Sequence, residues 1–244
     1  MNNRIVLQQK IHLDEQIVIE GPPLEALRFQ GARCGKIVTV ADREGREFRG
    51  RVVELTARKG VLFFFDVFPS STESSIDIIL LQALPEKERM ELIIQKVTEL
   101  GVSAIFPFKS SRSISLEERE AKQRKAHRWQ TIAVKAVEQS RRARIPQVGT
   151  YRTFEEALAL CDEEGLKILL WEKGGEPLKN VIRRSPPKKI YALVGPEGGF
   201  TDEEVERATA TGFVPVKLGQ RILRTETAAI TLIGILQYEL GDLS

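Results

Sequence analysis

The chain of 244 residues and 27.5 kDa is long enough for one large buried core or two modest ones. With 42% hydrophobic and 29% charged residues it has the balance of an ordinary soluble globular protein, and no run approaches the roughly 18 apolar residues of a membrane span. Its 37 Lys and Arg against 34 Asp and Glu leave a net charge of only +3, so whole-chain charge does not argue for nucleic acid, and two cysteines, Cys34 and Cys161, without metal-ligand spacing exclude a disulfide framework or zinc site as the expectation.

From the amino terminus, MNNRIVLQQKIHLDEQ lacks the apolar stretch of a signal segment, so a cytoplasmic location is expected. Up to about residue 70, short apolar runs are separated by turn signals: IVIEG (17–21), KIVTV (36–40), RVVEL (51–55) and VLFFFDVF (61–68). Strands at this spacing predict a small barrel or sandwich. The serine-rich stretch 69–75 reads as a linker, which divides the chain into domains 1–72 and 76–244.

Beyond residue 76 the periodicity changes. IDIILLQAL (76–84) is a nearly continuous apolar strand of the kind buried on both faces of a parallel sheet. Met90, Ile93, Ile94, Val97 and Leu100 then fall at helical spacing before Gly101 stops the helix. AIFPF (104–108) is a further strand, a basic helix is predicted over about 117–143, and KILLWE (167–172), KIYALVG (189–195) and FVPVKLG (213–219) alternate with helical segments. This alternation is the signature of an α/β layer.

Two loops at strand ends stand out. VGPEGGF (194–200) links a buried strand to a helix whose start is marked by Thr201 and Glu204, the spacing of a capping box. Ligands of open α/β sheets sit at such carboxyl ends, and the glycines allow close backbone approach. No Gly-Lys-Ser/Thr follows, and Pro196 breaks the dinucleotide fingerprint, so the loop is either a cradle of another kind or a tight turn serving only packing. The second loop, LGQRILRTETAA (218–229), sets Arg221, Arg224 and Glu226 beside Ile222 and Leu223, with Thr225 or Thr227 available as helix cap. The helix after it is apolar on nearly all sides and must be buried within the domain or against a partner.

Charge is concentrated between them and the first domain. From Lys109 to Arg144 there are eleven Lys and Arg and four acids, a net of +7. Such clustering supplies phosphate affinity that whole-chain charge conceals, although a charge run also arises as a plain solvated helix face. Trp129, set among these charges, is assigned to the core rather than to base stacking.

Taken together, VGPEGGF and LGQRILRTETAA, with ELIIQKVTELGVSAIFPFKSSRS (91–113) and RWQTIAVKAVEQSRRARIPQV (128–148), resemble the SPOUT superfamily of methyltransferases, and within it the RsmE family that methylates N3 of a uridine in 16S ribosomal RNA. The resemblance spans roughly 76–244 and implies a parallel sheet tied in a deep trefoil knot that binds S-adenosylmethionine. The first domain would be a PUA-like RNA-binding β-barrel. Homodimerisation, 16S rRNA within the 30S subunit as partner, and no metal or membrane are also implied.

Carried onto this sequence, the cofactor contacts are Trp171, Gly195, Glu197, Gly198, Gly199, Leu218, Gly219, Ile222, Leu223 and Thr227. Methyl transfer requires alignment of donor and acceptor and loss of the acceptor proton, and a cation near uracil N3 would favour its anion. Arg224 is the first candidate for that cation and Arg221 the second, with Glu226 holding one of them; an alternative is an arginine–carboxylate network that only pins the loops. Arg28, Arg112, Arg128 and Arg142 are assigned to RNA. The chain departs from the family pattern at Arg141, where glycine is usual, and in 22–35, where only Leu27, Arg28 and a later glycine match. A non-catalytic ribosome-assembly factor and a nucleotide hydrolase are the competing classes; the intact glycine loops argue against the first, and the missing phosphate-loop lysine against the second.

Overall fold

The structure, a computed structural model, describes residues 5–68, 72–113, 126–184 and 187–243. The chain forms two compact units, Met1–Glu73 with Val134–Ile145, and Ser74–Ala133 with Pro146–Ser244. The predicted basic helix is seen as Ala126–Ser140; its first part, 117–125, and residues 69–71 of the predicted linker lie outside the described residues.

In the first unit, strands β1 (Gln16–Ile19), β2 (Ile37–Ala41), β3 (Glu47–Leu55) and β4 (Gly60–Val67) form an antiparallel sheet in the order β1-β4-β3-β2. Their alternation is that of a sheet with one packed face: Ile17, Ile19, Val38, Val40, Phe48, Val52, Leu62 and Phe64 share one apolar core. A helix unforeseen in the sequence, α1 (Gly21–Phe29), closes that core with Leu24 and Leu27. Pro22 and Pro23 read as breakers, yet in the first turn of a helix a missing N–H leaves no bond unmade.

The second unit is a seven-stranded parallel sheet. Its strands are β5 (Asp77–Ala83), β6 (Ala104–Phe108), β7 (Gln147–Val148), β8 (Leu166–Leu170), β9 (Glu176–Pro177), β10 (Lys189–Val194) and β11 (Val214–Lys217), in the order β7-β6-β5-β10-β8-β11-β9. Successive side chains point to opposite faces. Ile78, Leu80, Ile190 and Ala192 pack into one cluster with helices α2 (Lys87–Glu99), α5 (Leu178–Ile182) and α7 (Thr225–Leu240). Ile79, Leu81, Tyr191 and Leu193 pack into another with α4 (Phe154–Leu158) and α6 (Asp202–Ala210). The remaining helix, α3, is Ala126–Ser140, and Trp129 lies in the first cluster, 8% exposed.

The strand order positions the site. β10 is hydrogen-bonded between β5 and β8, and β11 between β8 and β9. Because all run the same way, the carboxyl ends of β8, β10 and β11 lie together, and the loops that leave them converge. Close backbone contact supports this arrangement at Gly175, whose φ is +99° and where a Cβ would lie 2.6 Å from the carbonyl of Pro215 in β11.

Gly175→Ala is therefore expected to cost about 2–3 kcal/mol, through a positive φ and a backbone collision that no side-chain movement relieves. Urea unfolding measures it, and a loss under about 0.5 kcal/mol, the size of an ordinary surface change, would contradict the packing described.

Candidate active site

A cavity of about 470 Å³ opens where the three loops converge. This is within the range of small-molecule sites, about 300–1,000 Å³. Leu170, Trp171 and Glu172 form one wall, Val194–Phe200 a second and Lys217–Thr225 with Ala228 a third, and Arg89 of α2 completes the lining.

The glycine loop is held from below and from the side. Its first carbonyl, at Gly195, accepts from the Thr225 hydroxyl at 2.7 Å and from Gln82 Nε2 at 3.3 Å. Gln82 Nε2 also donates to Thr225 Oγ1 at 3.1 Å, so β5, the loop after β10 and the start of α7 share one buried cluster. At the far end, Thr201 and Glu204 form the expected capping box. The Glu204 carboxylate, 1% exposed, accepts in addition from Ser111 N at 2.8 Å and from Ser110 Oγ at 3.2 Å, a tie to the loop after β6 that the local sequence does not announce. Gly199 takes φ +67°, and its N–H closes a turn onto Pro196 O at 3.0 Å.

Most predicted cofactor residues meet here: Trp171, Gly195, Glu197, Gly198, Gly199, Leu218, Gly219, Ile222 and Leu223 all line the cavity. Trp171 carries a buried indole Nε1–H without a hydrogen-bond partner among the described residues. Ile222 is 83% exposed and so forms the rim rather than the floor. Thr227 is exposed and does not line the cavity; Thr225 does. The cap expectation is corrected with it, because Arg224 occupies the N-cap position and the Thr225 hydroxyl is spent on Gly195.

Of the charged candidates, Arg221 and Arg224 line the cavity, are exposed, and make no ion pair among the described residues. Glu226 holds neither of them. Among the described residues its ion-pair partner is Arg89, with Nε 4.0 Å from Glu226 Oε2, and Arg89 also pairs with Glu197 Oε1 at 3.1 Å. Arg89 was missed in the sequence because it sits in the run PEKERME, which reads as a solvated helix start.

The arginines assigned to RNA separate. Arg142 is 5% exposed and forms an ion pair with Glu73 at 2.6 Å, so that assignment is withdrawn: the guanidinium is enclosed and its charge already matched. Arg112 is exposed but donates from Nη1 to Gly198 O at 2.7 Å, supporting the glycine loop. Arg128 is exposed and paired with Glu91 at 3.0 Å, and Arg28 is exposed with a hydrogen bond to Thr56 O. Arg141 takes φ +60°, the left-handed conformation that explains why glycine suits this position.

Thr225→Val keeps the side-chain shape and removes the donor to Gly195 O, so a loss of about 1–2 kcal/mol is expected in denaturant unfolding. A neutral result would mean the cluster does not hold the loop.

Residues 72–237 match the family described as RNA methyltransferase domain. The ribosomal RNA small subunit methyltransferase E of Bacillus subtilis is 32% identical over 84% of this chain and 82% of its own length. Its namesake from Neisseria gonorrhoeae, solved bound to S-adenosyl methionine, covers 99% of both chains at 32% identity and a TM-score of 0.73. A protein of Legionella pneumophila, solved in complex with the same cofactor, covers 100% of both chains at 30% identity and a TM-score of 0.70. With its cavity at the carboxyl ends of three parallel strands and this similarity over nearly its whole length, the chain belongs to the ribosomal RNA small subunit methyltransferase E family of RNA methyltransferases.

Proposed function

We propose that the protein uses S-adenosylmethionine to methylate N3 of a uridine in 16S ribosomal RNA. The observation that carries this is the cavity itself: glycine backbone, apolar walls and two arginines, Arg221 and Arg224, that make no ion pair among the described residues, in one place.

The residues present fit the cofactor. Gly195, Gly198 and Gly199 bring backbone to the cavity wall, where a Cβ would press on Phe200, Arg112 or Glu172, so the loop suits a ligand met by main chain. Leu218 and Leu223 suit the flat apolar faces of an adenosine, and the Trp171 Nε1–H is a donor in need of an acceptor. When bound, S-adenosylmethionine supplies an electrophilic methyl group on a sulfonium sulfur. The work left to the chain is alignment of the acceptor and stabilisation of the uracil anion formed when N3 loses its proton. Arg224, at the entrance to α7 and without an ion pair among the described residues, is assigned to that anion, and Arg221 to orientation of the base or its phosphate.

Other features support the same reading at larger scale. Insertion of β10 and β11 between strands formed earlier in the chain suits a deep trefoil knot, and the antiparallel first unit suits a PUA-like barrel. Exposed Arg28 and Arg128, with the basic run 109–144, suit phosphate contacts on a ribosomal substrate such as the 30S subunit. The outer side of α7 leaves Tyr238 62% exposed beside half-buried Ile230 and Ile235, a surface suited to a homodimer. No helix among the described residues is long and apolar enough to cross a membrane.

The test is methylation of 30S subunits and of free 16S rRNA with labelled S-adenosylmethionine, the product mapped by mass spectrometry. Wild type is expected to give N3-methyluridine, and Arg224→Ala to lose about a hundredfold in kcat/KM while still binding cofactor. Cofactor binding without methylation of either substrate would overturn the assigned target.

A further inference from the structure

We infer that Arg89 is the positioning residue of the cofactor site: one guanidinium that joins the glycine loop to the start of α7 and so fixes the distance between two walls of the cavity. This rests on the reading of the cavity as the S-adenosylmethionine site.

Arg89 lies in the first turn of α2, outside both loops, yet lines the cavity. Its Nη1 is 3.1 Å from Glu197 Oε1 in the glycine loop, and its Nε is 4.0 Å from Glu226 Oε2 in the first turn of α7. Glu197 is fixed from a second direction, because its Oε1 also accepts from Glu86 N at 2.9 Å. The Glu226 oxygen is buried and has no hydrogen bond among the described residues, so the only charge set against it there is that of Arg89. The pairing is specific within the site. Arg221 and Arg224 are exposed and make no ion pair among the described residues, whereas the Arg89 side chain is only 31% exposed and meets Glu197, Glu226 and, at 3.9 Å from its Nε, Glu86 of its own helix start. A planar fork of donors can serve two carboxylates at once, which a lysine ammonium on a flexible stem does less well. Without the cation, the Glu197 carboxylate of the glycine loop and the Glu226 carboxylate in the first turn of α7 would lose the charge that ties them together.

Calorimetric titration of the full chain with S-adenosylmethionine and with S-adenosylhomocysteine tests this. Arg89→Ala is expected to weaken both by about tenfold, Arg89→Lys by less, and Glu197→Gln by an amount similar to Arg89→Ala. Because Arg89 acts through Glu197, the double variant should bind no more weakly than the weaker single variant, and affinity for an RNA substrate fragment should not change. A double variant showing the product of the two single losses would overturn the inference, since Arg89 would then read the ligand directly. Wild-type affinity in Arg89→Ala, or a loss confined to RNA, would overturn it too. If Arg89→Ala no longer melts cooperatively, Arg89→Lys with Glu197→Gln carries the same cycle. Failure of wild type to bind either compound would sink the cofactor reading itself, and this inference with it.

Discussion

The carbonyl oxygen of Gly195 accepts from the Thr225 hydroxyl at 2.7 Å and from Gln82 Nε2 at 3.3 Å, where Thr225 is 5% and Gln82 0% exposed. Three segments far apart in sequence meet at that oxygen: the end of β5, the loop leaving β10, and the first turn of α7. Away from water a buried polar atom left unpaired costs about 1–3 kcal/mol, and here the Gln82 Nε2–H, the Thr225 hydroxyl and the Gly195 carbonyl answer one another. The cluster therefore specifies where α7 begins relative to the glycine loop. It also explains the placement of the cavity, since the loops at its floor cannot separate without breaking these bonds.

Above that floor, the charges divide into those already answered and those left open. Arg89 has a carboxylate partner, Glu197, at 3.1 Å and serves the architecture. Arg221 and Arg224 have none among the described residues, on the loop where the cavity meets solvent. An exposed unpaired guanidinium retains its full capacity for a phosphate or a developing anion, while a paired one must first give up its carboxylate. The same residue type thus serves as scaffold on one side of the site and, among the described residues, stands unpaired on the other. Methyl transfer to a weakly acidic imide needs both: loops that do not drift, and positive charge that is not yet spent.

Much of this was legible in the sequence, for reasons that can be named. β5, β6 and β10 are apolar runs buried on both faces, and the observed strands fall within or match the runs 76–84, 104–108 and 189–195. Thr201 and Glu204 declared their helix start because a capping box is wholly local. The two-residue strands β7 and β9 and the five-residue helices α4 and α5 are too short to show a period, and they exist because the sheet and its loops supply their partners. Misplaced side chains share a different cause. Arg142 pairs with Glu73 across 69 residues of chain, and Thr225 bonds Gly195 across 30, so nothing in the local pattern marks Arg142 as buried or Thr225 as other than a cap. Arg89 escaped notice for the same reason: the acids that define its role come from two other elements.

The most direct measurement is hydrogen–deuterium exchange of the whole protein with and without S-adenosylhomocysteine. If the cavity is the cofactor site, protection should concentrate in residues 171–175, 194–199 and 218–224, the three loops at the carboxyl ends of β8, β10 and β11. Binding accompanied by protection confined to the first unit, or to the amino ends of those strands, would contradict the account.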